Sequence, residues 1–138
     1  MFLLDTSVYV AAVRQGDFSA LAMRRLGPGQ PLWLSAVVLE ELYAGAREEE
    51  RRLIDSMERD FEGDGRVLVP TLNDWARAGK TLAVLAAKYG YEQIGRGRLT
   101  NDALIAMGAA RLGLTLLTIN QRDFARLAEF RPFRWKIV

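Results

Sequence analysis

The chain has 138 residues, of which 50% are hydrophobic and 26% charged, an ordinary globular composition long enough to bury a core without disulfide staples. Lysine and arginine number 19 against 17 aspartates and glutamates, a formal net charge of +2 that alone says little about partners. Histidine and cysteine are absent, which excludes a Ser-His-Asp relay, a thiolate nucleophile and any imidazole or thiolate zinc site. For a small hydrolytic enzyme this leaves acidic side chains around a hard, oxygen-loving cation such as Mg²⁺ or Mn²⁺.

The lack of cysteine fits a reducing compartment. The first five residues lack a basic region and a long apolar run, and no segment approaches a membrane span, so a cytoplasmic protein without membrane contact is expected.

In chain order, Phe2, Leu3 and Leu4 form an apolar run that reads as a buried strand ending at Asp5. Thr6 and Ser7 are candidate caps for the helix that follows through Tyr9, Val10 and Val13. A second helix is predicted around residues 21–26, stopped by Gly27, Pro28 and Gly29. Residues 31–34 read as a strand, and Ser35 starts a helix through Ala46. Leu53, Ile54, Met57 and Phe61 recur at helical spacing in a charged stretch that Gly63 and Gly65 close. Residues 66–70 look like a strand closed by proline.

Trp75, Leu82, Leu85, Ala86 and Tyr89 mark the inner side of a long helix over 72–89, ended by Gly90. The loop 95–98 leads into a helix over 100–112, stopped by Gly113. Residues 114–119 are the most strand-like run, Asn120 opens a short helix, and 133–138 read as an edge strand. Strands alternating with helices predict an α/β fold: a single domain over 1–138 with a mainly parallel central sheet flanked by helices.

Parallel sheets place their sites beyond the carboxyl ends of the strands, where Asp5 falls. Glu40 and Glu41 separate by helical geometry. Val37, Val38, Leu39, Leu42 and Gly45 define one face, with Glu40 opposite it in water and Glu41 on its flank. Asp102 lies in a first helical turn, and Asp123 in the third position after Asn120. Each acid has a purely structural alternative: a turn or cap for Asp5, a boundary glutamate for Glu41, and helix-dipole or capping preferences for Asp102 and Asp123. Four acids at one sheet edge would repel one another and have raised pKa values unless a cation neutralised them. If these four hold metal, the remaining surface carries a surplus of six bases, compatible with a polyanion. Such a site suits in-line hydrolysis of a phosphodiester.

Four segments then stand in order: Leu4-Asp5-Thr6-Ser7, Glu41-Leu42-Tyr43-Ala44-Gly45, Asp102-Ala103-Leu104-Ile105-Ala106, and Thr118-Ile119-Asn120-Gln121-Arg122-Asp123-Phe124. The series resembles the PIN-domain ribonucleases, specifically the VapC toxins of type II toxin–antitoxin pairs, over essentially the whole chain. The resemblance implies a PIN-like domain acting as a Mg²⁺- or Mn²⁺-dependent endoribonuclease. Asp5, Glu41, Asp102 and Asp123 would be its catalytic and metal-binding acids, supported through hydrogen bonds by Thr6 or Ser7 and by Asn120. It also implies a homodimer, an RNA substrate and a VapB-like antitoxin that silences the site.

Arg47, Arg51, Arg52, Arg122 and Arg126 are candidate phosphate contacts, but solvated helix faces with local ion pairs are the better explanation for most of them. Trp33, Tyr43, Trp75 and Tyr89 fall at core-like spacing and are not read as base-stacking platforms. The rival from another class is a non-catalytic PIN-like module that binds RNA or a protein. Aspartyl-phosphate phosphatases want a second Asp where Ser7 stands, and receiver domains want an early acidic pair that residues 1–5 lack.

Overall fold

A computed structural model describes residues 1–16, 31–94 and 99–138. The helix predicted around 21–26, its glycine-proline break and the 95–98 loop lie outside the described residues. Five strands, β1 (Phe2–Leu4), β2 (Leu32–Ser35), β3 (Val67–Leu68), β4 (Thr115–Thr118) and β5 (Arg134–Ile137), form one sheet in the order β3-β2-β1-β4-β5. Every pairing is parallel, so the expected α/β architecture is present in its fully parallel form. Among the described residues seven α-helices accompany it: α1 (Thr6–Gln15), α2 (Ala36–Gly45), α3 (Arg51–Gly63), α4 (Leu72–Tyr89), α5 (Tyr91–Ile94), α6 (Thr100–Leu112) and α7 (Gln121–Ala128).

The central strands are apolar because helices cover them from both sides. Leu3, Leu34 and Leu116 are fully buried, as expected for strands in a two-sided parallel sheet. β1 pairs with β2 on one side and β4 on the other, and Leu4 stands opposite Leu117. The chain therefore leaves β1 toward one half of the sheet and later returns to its other flank. Clefts and ligand sites in open α/β sheets form at such a reversal, beyond the carboxyl ends. Asp5 and Thr118 sit side by side there, with the Asp5 N–H donating to the Leu117 carbonyl at 3.0 Å.

Helix α6 carries the middle of the core. Every residue from Ala103 through Ala109 is buried, more than the one-sided face expected from its pattern. Its small residues allow close approach: a Cβ built on Gly108 would stand 2.9 Å from Leu68 Cδ2 of β3. The buried Asp74 ties the start of α4 to the end of α6. It forms a reciprocal cap with Thr71 and receives Arg111 Nε at 3.0 Å, while Arg111 Nη2 donates to the Val69 carbonyl at 3.2 Å. That contact explains why β3 is shorter than the predicted 66–70 strand. The Val69 carbonyl is occupied by arginine, and Pro70 has no N–H to offer a ladder.

Two expectations need correction. The cap of α1 is Asp5, not Thr6 or Ser7, whose hydroxyls are engaged elsewhere. Trp75 is 54% exposed and Leu72 86% exposed, so the outer side of α4 begins with apolar residues in solvent rather than in the core. The spacing placed Leu85 correctly on the buried side of α4 but could not reveal that this side runs through Asp74, Ala78 and Thr81 rather than through Trp75. Among the described residues, no helix is long and apolar enough to cross a membrane.

Candidate functional site

The four acids come from separate elements: Asp5 from the end of β1, Glu41 from the middle of α2, Asp102 from the first turn of α6, and Asp123 from the first turn of α7. Asp5 is almost fully buried, at 4% exposure. As the α1 cap its carboxylate accepts the Ser7 N–H, the Ser7 hydroxyl at 3.0 Å and the Thr118 hydroxyl. Thr118 in turn accepts the Asn120 N–H at 2.8 Å, and Ser7 Oγ accepts the Ile119 N–H at 3.3 Å. The turn after β4 is thus stitched to the turn after β1.

Glu41 is half-buried while Glu40 is exposed, the division that helical geometry predicts. The Thr6 hydroxyl donates to Glu41 Oε2, and the Asn101 amide donates to Oε1 at 2.9 Å. Asp123 accepts the Asn120 side-chain amide at 2.9 Å, and Asn120 Oδ1 caps α7 at the Asp123 N–H. Thr6, Ser7 and Asn120 therefore each donate to a different acid. Asp102 differs from the other three: among the described residues it receives no hydrogen bond.

Its electrostatics follow. Burial, then the charges of Asp5, Asp123 and Glu41, push the Asp102 carboxyl up to about 8. Burial also raises Asp5, opposed by its bonds from Thr118 and Ser7 and reinforced by Glu41. All three other acids thus act on Asp102 through space, although no two of the four share an element. As they stand, no three carboxylates among the described residues are gathered into a set that could hold one metal ion. Glu41 accepts hydrogen bonds from Thr6 and Asn101, and Asp123 accepts one from Asn120, so each of these two acids is held by its own neighbours. In charge and donor type the residues fit a hard divalent cation: every candidate ligand is a carboxylate oxygen, and the repulsion at Asp102 is what a cation would relieve.

Two further residues, Asn101 and Thr118, bond directly to the acids but were not singled out from the sequence. Asn101 had no signal beyond adjacency to Asp102. Thr118 had one, its place at the head of the fourth segment, near the carboxyl end of the most strand-like run.

A fully parallel α/β domain with acids beyond its strand ends defines a class of fold and site. Within that class the family is direct: the PIN domain model matches residues 2–130, and the chain belongs to that family. Similar solved structures include DNA-bound VapBC from Salmonella typhimurium, with TM-score 0.69, 24% identity, and coverage of 99% of this chain and 96% of that one. VapBC-1 from nontypeable Haemophilus influenzae aligns with TM-score 0.63 at 23% identity over 99% and 96% of the two chains. VapBC-5 from Mycobacterium tuberculosis, described as a member of the VapBC family of toxin–antitoxin systems, aligns with TM-score 0.55 at 24% identity over 99% and 96%. Comparison with curated proteins returned no match.

Proposed function

We propose that the chain is a VapC-type toxin, a single PIN-like domain over residues 1–138 acting as a Mg²⁺- or Mn²⁺-dependent endoribonuclease. The observation that carries this reading is the convergence of three acidic charges on Asp102, a half-buried carboxyl without a hydrogen-bond donor among the described residues. Asp5, Glu41, Asp102 and Asp123 would hold the cation, which when bound supplies Lewis-acid activation of a phosphodiester and of the attacking water. Thr118 and Ser7 fix the Asp5 carboxylate, Thr6 and Asn101 fix Glu41, and Asn120 fixes Asp123. These contacts set the direction of each oxygen and keep the acids from turning into solvent. Without histidine, no imidazole serves as base or acid.

The partner assignments belong to the same proposal. The similar structures are VapBC complexes, which supports a VapB-like antitoxin for this chain. An RNA substrate, a homodimer and a cytoplasmic location are what the toxin reading implies. The test is incubation of purified protein with RNA in Mg²⁺ or Mn²⁺, with and without EDTA, beside a folded Asp5→Asn variant. Cleavage that needs the cation and is lost in Asp5→Asn is expected. RNA bound but left intact under every condition would assign the chain instead to a non-catalytic binding module.

A further inference from the structure

Asp123 has a competitor for its carboxylate on its own helix. Arg126 stands three residues further along α7, about 60° around it, the spacing at which an acid and a base ordinarily pair. No such pair forms. The Asp123 carboxylate takes its hydrogen bond from Asn120, and Arg126 makes no ion pair among the described residues. The Arg126 guanidinium lies instead over the ring of Tyr89, the last residue of α4, with Cζ 4.3 Å from the ring centre. That ring is itself held. Its hydroxyl donates to Glu129 Oε1 at 2.6 Å, while Lys88 Nζ donates to Glu129 Oε2 at 2.6 Å and stands 5.0 Å from the same ring centre.

We infer that Tyr89 is a positioning residue for the acidic site: its ring face holds Arg126 away from Asp123 and so leaves that carboxylate to the metal ion. The inference rests on the nuclease reading and adds to it how one metal-binding acid escapes the base beside it. A guanidinium is attracted both to the face of an aromatic ring and to a carboxylate one turn away, and it cannot occupy both places. Glu129, three residues beyond Arg126, feels the same charge through space, but its two oxygens are already taken by Tyr89 and Lys88. Arg126 released from the ring therefore turns to Asp123. A positive charge held there weakens the attraction of the four acids for a divalent cation.

The experiment is a double-mutant cycle on Mn²⁺ affinity, read by electron paramagnetic resonance with no substrate present. Tyr89→Leu and Tyr89→Met remove the ring face but keep an apolar side chain, and Tyr89→Phe keeps the face. Each is made alone and together with Arg126→Gln, and melting curves in EDTA check folding, so that either apolar variant can carry the cycle. With Arg126 present, Tyr89→Leu and Tyr89→Met should each bind Mn²⁺ about threefold more weakly than wild type, while Tyr89→Phe should match it. In the Arg126→Gln background the same substitutions should cost nothing, because no guanidinium remains to be released. Losses of equal size in both backgrounds would show that Tyr89 merely supports the fold and would overturn the inference. Wild-type affinity in the folded apolar variants, or an equal loss in Tyr89→Phe, would overturn it too. A second readout needs no metal: in EDTA the ring current of Tyr89 should shift the Arg126 δ-methylene protons upfield in the NMR spectrum, and Tyr89→Leu should abolish that shift. Unshifted wild-type signals would overturn the inference and leave the nuclease reading standing. A folded wild type that leaves Mn²⁺ free would remove the metal-dependent reading, and the inference with it.

Discussion

Asp102 links charge to stability through a sign that can be worked out. Its folded carboxyl is raised to about 8, whereas an unfolded aspartate titrates near 3.8. Between those values the folded state holds a proton that the unfolded state releases, so stability falls as pH rises from about 4 to about 8. The slope for one such group approaches ~1.4 kcal/mol per pH unit. Asp5, also raised, contributes in the same direction. In EDTA the melting temperature should therefore be lower at pH 8 than at pH 5.5, and Asp102→Asn should flatten that difference. A wild-type melting temperature independent of pH over this range would contradict the geometry of the cluster. Thr118 offers a second residue-scale test. Thr118→Val keeps the shape of a buried side chain but removes the donor to Asp5 and the acceptor for the Asn120 N–H. Loss of such an outer support typically costs about 10- to 100-fold in metal affinity or activity. The variant should fold and require correspondingly more Mn²⁺ for cleavage.

Elements are held in place by contacts that periodicity reveals only in part. The boundaries of α4, α6 and the Asn120 cap were legible because Gly90, Gly113 and an Asn-x-x-Asp pattern are local chemical signals. The Asp74–Arg111 clamp was not, since it joins residues 37 apart, and the local Thr71-x-x-Asp74 cap pattern carries no sign of the arginine. Arg111→Met should leave a buried carboxylate without its counter-charge and destabilise the fold by about 3 kcal/mol, read from urea denaturation. Gly108 tests the close packing of α6 against β3. Alanine is favoured over glycine in a helix interior by roughly 1 kcal/mol, but here its Cβ would meet the buried Leu68 at 2.9 Å. The clash should win, so that Gly108→Ala unfolds at lower urea than wild type. A stabilised variant would show that Leu68 yields easily.

At the scale of the whole molecule, the parallel architecture was readable from alternating strands and helices, and the family from four short segments in order. What the sequence concealed was the mutual placement of the acids. Glu41, Asp102 and Asp123 lie on three different helices, and only the strand order around β1 brings those helices to one edge. Their hydrogen-bond donors were partly hidden for the same reason, because Asn101 meets Glu41 across 60 positions of chain. The exposed Trp75 shows the converse: helical phase locates a side chain on a cylinder but does not say which side the rest of the protein covers.

The most direct test of the account is a Mn²⁺ titration of purified protein followed by electron paramagnetic resonance, in which free and bound ion are distinguished without any substrate. Wild type should bind Mn²⁺ saturably, and folded Asp5→Asn and Asp102→Asn variants should each lose at least about tenfold in affinity. A folded wild type that leaves Mn²⁺ free, or variants that bind it equally well, would contradict the claim that these distant carboxylates act together on one cation.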